Sequence, residues 1–183
     1  MNTKVNTKYL VLAALFIALS FIGANIRIFG SVAFDSLPAF LAALLLGPFY
    51  GAVIGLIGHL LTATLSGFPL SLPLHIVIAV SMAVTMLGFG FTYKALNLAL
   101  KRTLHKSLKN RMSMAKNLAV TGVVGVLLNA PVSFGLSMAT LALMAGAEAA
   151  MGLLPLFPFL LLASVINVVL SIVLFKSLEK VVL

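Results

Sequence analysis

The sequence contains no cysteine and few charged residues of either sign. Without cysteine, the chain has no disulfides, no thiolate nucleophile and no cysteine-bound metal site. Charged residues make up 8% of the 183 positions, hydrophobic residues 62%, and the mean hydropathy is +1.23. A soluble domain of this size needs far more polar surface, so the composition indicates an integral membrane protein without a separate soluble catalytic domain.

Sequence signatures of catalysis are also missing. The chain has no HExxH, GxSxG or GxxxxGK[ST] motif, which excludes the zincin, nucleophile-elbow hydrolase and P-loop routes. Its three histidines lack metal-ligand spacing, so we expect no metal site. The only acids, Asp35, Glu148 and Glu179, are expected at or outside the membrane faces, which leaves no intramembrane carboxylate pair for a proton relay. We therefore expect no catalytic residue, no enzyme activity and no cofactor bound by this chain.

What the chain has instead is a contrast between one basic segment and long apolar runs. The segment from Lys94 to Lys116 holds seven Lys or Arg residues in 23 positions and no acid. Such a segment stays on the cytoplasmic side of a membrane. The net charge of +9 is therefore explained by lipid headgroups and membrane orientation. We expect the lipid bilayer, and no nucleic acid, as a partner.

Six membrane spans account for the rest of the sequence. Residues 36–93 carry no Lys, Arg, Asp or Glu, and Gly and Pro clusters divide them into three spans, of which the first is short and either tilted, supported by the preceding loop, or partly re-entrant. With six crossings, both termini share the cytoplasmic side with the basic segment. We predict an all-α membrane protein, a compact bundle of six transmembrane helices forming one integral-membrane domain over residues 1–183. The predicted spans are about Lys8–Ala24, Leu37–Leu46, Phe49–Ser66, Leu74–Tyr93, one within Asn117–Ala147, and about Leu154–Phe175.

Small residues recur at helical spacing in two places. Gly47, Gly51 and Gly55 form overlapping GxxxG units, for which we favour packing between helices of the same chain. Ala14 and Ala18 form an AxxxA unit in the first span. The residues leave two roles open for this alanine pair, namely internal packing and docking of a partner helix.

Polar residues form stripes on the outer halves of the third and fifth spans. Lipid-facing polar side chains are disfavoured, so these stripes should face the bundle interior or a water-filled cavity. Ser and Thr can instead bond their own helix backbone, and Asn can join helices. We predict that both stripes line a pocket entered from outside. The candidate contacts are Asn129, Ser133, Ser137 and, next on that face, Thr140; His59, Thr62 and Ser66; His75 at the start of the fourth span; and Asn167 in the sixth.

The predicted external segments add further candidate contacts. Arg27 departs from the positive-inside pattern, so something should retain it outside. An ion pair with Asp35 is the favoured explanation, and binding of an anionic group is the alternative. The other external candidates for ligand contact are Asn25, Phe34 and Phe68.

Taken together, these features resemble the substrate-binding S component of an energy-coupling factor (ECF) vitamin transporter. The run LLLGPFYGAVIGLIGHLL (Leu44–Leu61) is similar to the LGPxxG region of many S components. The resemblance implies an integral-membrane substrate-binding domain in the bacterial cell membrane that captures a vitamin or precursor with high affinity. It also implies partners, a transmembrane coupling protein and two ATPases that use the ATP. In this family the AxxxA alanines face the coupling protein, a role that carries over to Ala14 and Ala18.

The resemblance also suggests a substrate. Within the family, the segment Gly30–His75 looks most like S components for cobalamin (vitamin B12) or its building block α-ribazole, with queuosine precursors and pantothenate as alternatives. The chain lacks the N-terminal Met-His of nickel and cobalt S components, which argues against a bare metal ion. The low charge of the predicted pocket argues against a strongly anionic substrate. Cobalamin or a corrinoid precursor is therefore the first choice; outside the family, a membrane enzyme or assembly factor and a self-assembling small channel are the alternatives.

Overall fold

The computed structural model describes residues 7–29, 32–103 and 109–182. Almost all of these residues are helical, and one short antiparallel hairpin follows the first helix. In chain order the elements are α1 (Thr7–Gly23), β1 (Arg27–Phe29), β2 (Val32–Ala33), α2 (Leu37–Leu45), α3 (Pro48–Leu65), α4 (Leu72–Thr103), α5 (Lys109–Leu127), a π-helical turn (Leu128–Val132), α6 (Ser133–Ala145), α7 (Ala147–Met151), a 3₁₀ turn (Leu154–Leu156) and α8 (Phe157–Val182).

The long helices have the dimensions of membrane spans. Four largely helical stretches in the described ranges are long and apolar enough to cross a bilayer: Pro48–Leu65, Leu72–Leu100, Ser113–Ala145 and Ala147–Val181. Helix α1 is apolar and 17 residues long, and α2 adds the remaining element of the bundle. The predicted all-α membrane bundle of six helices is confirmed, with the hairpin as a small addition.

Aromatic contacts show which helix ends lie together. Tyr9 at the start of α1 meets Tyr50 at the start of α3, with ring centroids 5.9 Å apart. Tyr93 in α4 meets Phe175 near the end of α8 at 5.4 Å. Phe49 in α3 meets Phe91 in α4 at 5.7 Å, which joins the two pairs. The beginning of α1 and the end of α8 therefore lie at the same end of the bundle as the basic segment, the end that the positive-inside rule assigns to the cytoplasm.

Helix α2 is short and central. It has nine residues, and all but the first are buried. At its outer end the Ser36 hydroxyl accepts a hydrogen bond from Asn167 Nδ2 at 2.8 Å, ten residues into α8. At its inner end, a Cβ built on Gly47 would lie 3.3 Å from Lys94 Nζ. At about 1.5 Å per residue, α2 is about 14 Å long and covers only the inner half of the bundle.

The position of α2 corrects the prediction for Asp35. That residue was expected at or outside the membrane face, but it immediately precedes Ser36 and is only 7% exposed. The chain re-enters the bundle before α2 begins, because the polar groups of Asp35 and Ser36 find partners on α3 and α8 there. The predicted pair of Asp35 with Arg27 lies outside the described side chains.

A second correction concerns the basic segment. The fourth span was predicted to end at Tyr93, whereas α4 continues to Thr103 and α5 begins at Lys109. The residues beyond Tyr93 are mostly Ala, Leu, Lys and Arg, which are strong helix formers. The helices therefore extend past the apolar region into the basic segment.

The glycine run of α3 packs within the chain, which confirms that part of the sequence interpretation. A Cβ on Gly51 would lie 2.5 Å from the Ala43 Cβ in α2, and a Cβ on Gly58 would lie 3.0 Å from the Ser20 Cβ in α1. Glycine at these positions lets α3 approach both neighbours closely. This close packing holds α1, α2 and α3 together.

Candidate functional site

A cavity lies in the outer half of the bundle, above the start of α2. Its volume is about 110 Å³. At about 10–15 Å³ per water molecule, this volume corresponds to roughly ten waters. The wall is mainly apolar, with a few polar groups from four helices and from the segment before α2. The lining residues are Asp35, Ser36, His59, Leu70, Leu74, His75, Ile78, Met82, Asn129, Ser133, Phe134, Ser137, Leu153, Leu156, Leu160, Ala163, Ser164 and Asn167.

The π-helical turn between α5 and α6 positions one polar group of the wall. Pro131 lies inside this turn and has no backbone N–H, so regular α-helical hydrogen bonding is interrupted there. Asn129, in the same turn, is buried and donates from Nδ2 to Ser164 Oγ at 3.0 Å. Its Oδ1 is buried and has no hydrogen-bond partner among the described residues. The turn thus places a buried amide oxygen without a partner in a residue of the cavity wall.

The serines of the same stripe connect α6 to α4. Ser81 donates to Ser133 Oγ at 2.8 Å, and Ser137 donates to the Ser133 carbonyl oxygen at 2.8 Å. All three residues are buried. Thr140, the fourth member of the predicted stripe, bonds the carbonyl of Leu136 in its own helix and does not line the cavity.

A carboxylate and a histidine meet at one end of the cavity. Thr62 Oγ1 lies 2.6 Å from Asp35 Oδ2, and His59 Nδ1 lies 4.0 Å from the same oxygen. His59 is 7% exposed and Thr62 is fully buried. The re-entrant segment before α2 and the outer turns of α3 bring these groups together.

His59 continues the polar chain to the loop between α3 and α4. His59 Nε2 lies 3.1 Å from His75 Nδ1, and His75 Nε2 lies 2.7 Å from the Pro69 carbonyl oxygen. The Phe68 ring packs edge-on against His75, with centroids 5.9 Å apart. Phe68 and Leu70 both have positive φ angles, of 50° and 79°, which are unfavourable for residues with a Cβ. The contacts with His75 help to hold this loop in its strained conformation over the cavity.

Seven of the thirteen candidate contacts line the cavity, and two more support it. Thr62 and Phe68 touch wall residues from behind. Asn25 is exposed and caps Phe21 in α1, and Ser66 bonds the Thr62 carbonyl in its own helix. Phe34 is half-buried beside Asp35, and Arg27 lies in β1 with its side chain outside the described residues. The seven lining candidates are Asp35, His59, His75, Asn129, Ser133, Ser137 and Asn167.

The sequence analysis missed two polar residues of the cavity wall, Ser164 and Ser36. Ser164 precedes Asn167 by three residues, and Ser171 follows four later, so all three share one face of α8. The periodicity that identified the α6 stripe could have found this one. Ser36 had no periodic signal, because it belongs to the re-entrant segment before α2.

The cavity has the character of a binding site. The described lining residues include one carboxylate and no lysine or arginine. In the part of the chain that the structure describes, no group of three or more His, Asp or Glu side chains is arranged to hold a metal ion. The polar groups can donate and accept hydrogen bonds along an otherwise apolar wall, which is how sites for small organic molecules achieve orientation and specificity.

A different surface lies on the outside of α1. Ala14 and Ala18 are both exposed. Ala14 lines a shallow groove between α1 and α3, together with residues from the cytoplasmic end of α3. The groove residues are Leu10, Ala13, Ala14, Ile17, Phe49, Tyr50, Val53 and Ile54.

Comparisons with known proteins agree with this architecture. Among curated proteins, none matches the sequence. Among solved structures, the chain is similar to the S component of a bacterial ECF transporter, with a TM-score of 0.58, 19% sequence identity, and coverage of 95% of this chain and 96% of that one. The family model for the substrate-specific component of ECF transporters matches residues 8–175. This chain therefore belongs to the ECF transporter S components, the substrate-capture subunits that work with a membrane coupling protein and ATPases, and it is not an enzyme.

Proposed function

We propose that this chain forms a single integral-membrane domain of the bacterial plasma membrane that captures α-ribazole, or a vitamin precursor of similar size, from outside the cell. The observation that carries the proposal is the outward-facing cavity, which combines a long apolar wall with buried hydrogen-bonding groups at its ends. The polar residues proposed to contact substrate are Asp35, His59, His75, Asn129, Ser133, Ser137 and Asn167.

The size of the cavity favours a precursor over whole cobalamin. Sequence resemblance supports both cobalamin and α-ribazole, but a volume of about 110 Å³ suits a bicyclic ring far better than a corrin macrocycle. α-Ribazole joins a dimethylbenzimidazole ring to a ribose. The ring matches the apolar wall formed by residues such as Ile78, Met82 and Phe134, and the ribose hydroxyls match the polar groups.

The charge of the wall distinguishes the remaining alternatives. Pantothenate is an anion, and the described wall offers it a carboxylate at Asp35 and no cation. A queuosine precursor is a compact bicyclic base with N–H donors, so it remains the second candidate.

The exposed alanines of α1 supply the second half of the proposal. We propose that Ala14 and Ala18 contact the coupling protein, since small side chains allow a partner helix to approach closely. The adjacent groove between α1 and α3 is apolar and could hold side chains of that helix. Capture and docking would then use opposite ends and different faces of the bundle.

Uptake in whole cells tests the proposal. Labelled α-ribazole and labelled cobalamin are supplied to cells lacking other importers for them, with and without the coupling protein and ATPases. We expect α-ribazole uptake that requires both this chain and the module. Uptake of cobalamin and not of α-ribazole would show that the larger molecule is the substrate. No uptake of either, with the complex shown to assemble, would reject both and direct the same assay to queuosine precursors and pantothenate.

A further inference from the structure

A chain of contacts fixes the hydrogen positions on the two histidines of the cavity wall. His75 Nε2 lies 2.7 Å from the Pro69 carbonyl oxygen, which can only accept a hydrogen bond, so this nitrogen carries a hydrogen. In a neutral ring, His75 Nδ1 is then an acceptor. His59 Nε2, 3.1 Å away, must donate to it. The partner of each nitrogen thus assigns the same tautomer to both rings.

In a neutral His59 ring, the same assignment leaves Nδ1 as an acceptor. It faces Asp35 Oδ2 at 4.0 Å, which is too far for a direct hydrogen bond. Thr62 Oγ1 has a single hydrogen and lies near two oxygens, Asp35 Oδ2 at 2.6 Å and the Gly58 carbonyl at 3.0 Å. The backbone N–H groups of Asp35 and Ser36 also bond this carboxylate. A carboxylate has about four acceptor sites, so these three donors leave at least one of them open. Two acceptors therefore face each other at one end of the cavity.

We infer that the substrate places a hydrogen-bond donor, an N–H or O–H group, between His59 Nδ1 and Asp35 Oδ2, and that this acceptor pair selects donors over carboxylate, phosphate or ether oxygens. The inference rests on the proposed function, because it takes the cavity as the substrate site. A primary amine or carboxamide satisfies both acceptors, and a hydroxyl satisfies one. An oxygen without hydrogen would bring a third acceptor to the pair and leave both itself and His59 Nδ1 without a donor.

A second acceptor extends the same preference along the wall. Asn129 is one of the residues that line the cavity, and its Nδ2 donates to Ser164. Its Oδ1 is buried and has no hydrogen-bond partner among the described residues. A substrate donor that reaches Asn129 would satisfy an oxygen that the described residues leave unpaired, and one at Asp35 would use the acceptor site that Thr62 and the backbone leave open. The cavity therefore suits a molecule with an apolar body and several O–H or N–H groups.

Histidine ¹⁵N NMR of the purified full-length chain in nanodiscs tests the tautomer directly and needs no substrate. We expect Nε2 of both His59 and His75 to carry hydrogen and His59 Nδ1 to be unprotonated; His59→Gln and His75→Gln variants assign the signals. A His59 ring protonated on Nδ1 would overturn the inference, because the acceptor would already be occupied.

Matched fragments then test selection at the acceptor pair. Benzyl alcohol and anisole are isomers that differ in having or lacking an O–H. Benzamide and methyl benzoate are both neutral and differ in offering N–H donors or only acceptor oxygens. We expect the two donor fragments to shift the His59 Nδ1 resonance and the other two to leave it unchanged. Shifts from all four, or from none, would overturn the inference. If the donor fragments act as expected and α-ribazole does not bind, only the proposed substrate fails.

Substitution of the carboxylate provides the final arm. In Asp35→Asn the carboxylate charge is lost and one of its two acceptor oxygens is replaced by an NH₂ donor, so the acceptor pair is no longer complete. We expect benzamide affinity to fall at least tenfold. The matched control is Glu148→Gln, which makes the same charge change at an exposed residue of α7 and should leave affinity unchanged. Equal affinities for wild type and Asp35→Asn would contradict the inference.

Discussion

Above the level of Ser36 the bundle presents hydrogen-bonding side chains to a cavity, whereas below it α2 is buried on every side by apolar residues. The same helices build both regions, since α3, α4 and α8 run through them. The difference comes from the short α2, which fills the inner half and leaves room in the outer half. Capture can therefore evolve separately from the frame that holds the helices and from the surface that meets the coupling protein.

The largest expected effect separates docking from capture. Ala14→Trp should abolish substrate transport while leaving substrate affinity unchanged, because Ala14 is exposed on the outside of α1 and away from the cavity. Uptake and binding are measured on the same variant. The control is Val169→Trp on α8, a lipid-exposed position at 51% exposure. Loss of binding in Ala14→Trp with assembly intact would show that the two regions are not independent.

The next prediction concerns the cavity wall. Asn129→Leu removes the buried amide oxygen and leaves Ser164 without its donor. We expect binding to weaken by about ten- to a hundredfold, in line with the roughly 1–3 kcal/mol cost of unsatisfied buried polar groups. Isothermal titration calorimetry with the transported substrate measures it.

An inner asparagine provides the matched control for that variant. Asn97 accepts a hydrogen bond from Asn117 at 3.2 Å near the basic end of the bundle. Asn97→Leu should leave substrate affinity unchanged, since the residue is far from the cavity. Unchanged affinity in a folded Asn129→Leu protein would return that residue to a helix-packing role.

Packing of the inner half is tested by a smaller change. Gly51→Ala places a Cβ about where Ala43 already lies, 2.5 Å from its Cβ, so α2 and α3 must move apart. We expect a loss of about 1–3 kcal/mol of unfolding free energy, read as a lower melting temperature. Gly135→Ala in α6, where a Cβ meets nothing within 4 Å, should be neutral or slightly stabilising. Equal melting temperatures for the two variants would contradict the tight α2–α3 contact.

The smallest expected effect is at Ser66. Its hydroxyl bonds the Thr62 carbonyl in its own helix, and the residue does not line the cavity. Ser66→Ala should change substrate affinity by less than a factor of about two, because a helical hydroxyl bonded to its own backbone contributes little. A loss as large as that of Asn129→Leu would extend the site along α3 toward the loop.

The sequence predicted the periodic parts of this molecule and missed the parts that depend on tertiary contacts. The charge contrast and apolar runs were enough for six helices and their orientation, and helical spacing was enough for Asn129 and Ser133. Asp35 was misplaced because a charged residue beside a predicted loop is ordinarily external. Only the hydrogen bonds of Asp35 with Thr62 and of Ser36 with Asn167 explain why the chain re-enters the bundle there.

The site shows the same limit. Ser66 and Thr140 follow the helical spacing of their stripes, yet both bond backbone carbonyls of their own helices and neither lines the cavity. A π-helical turn in the middle of the fifth span also shifts the register that a regular helix would keep. Periodicity identifies a polar face, but the depth and direction of the cavity depend on where neighbouring helices leave space.

The buried α2 has a further consequence for permeability. Helices α1, α3, α4 and α8 all contact it, and it separates the cavity floor from the cytoplasmic face by about 14 Å of apolar side chains. Transferring an ion into such a region costs of order 20 kcal/mol before the protein relaxes. We expect the outer cavity to fill with substrate or water without opening a path for protons or sodium, so that the cell keeps its membrane potential while the subunit waits for its partners.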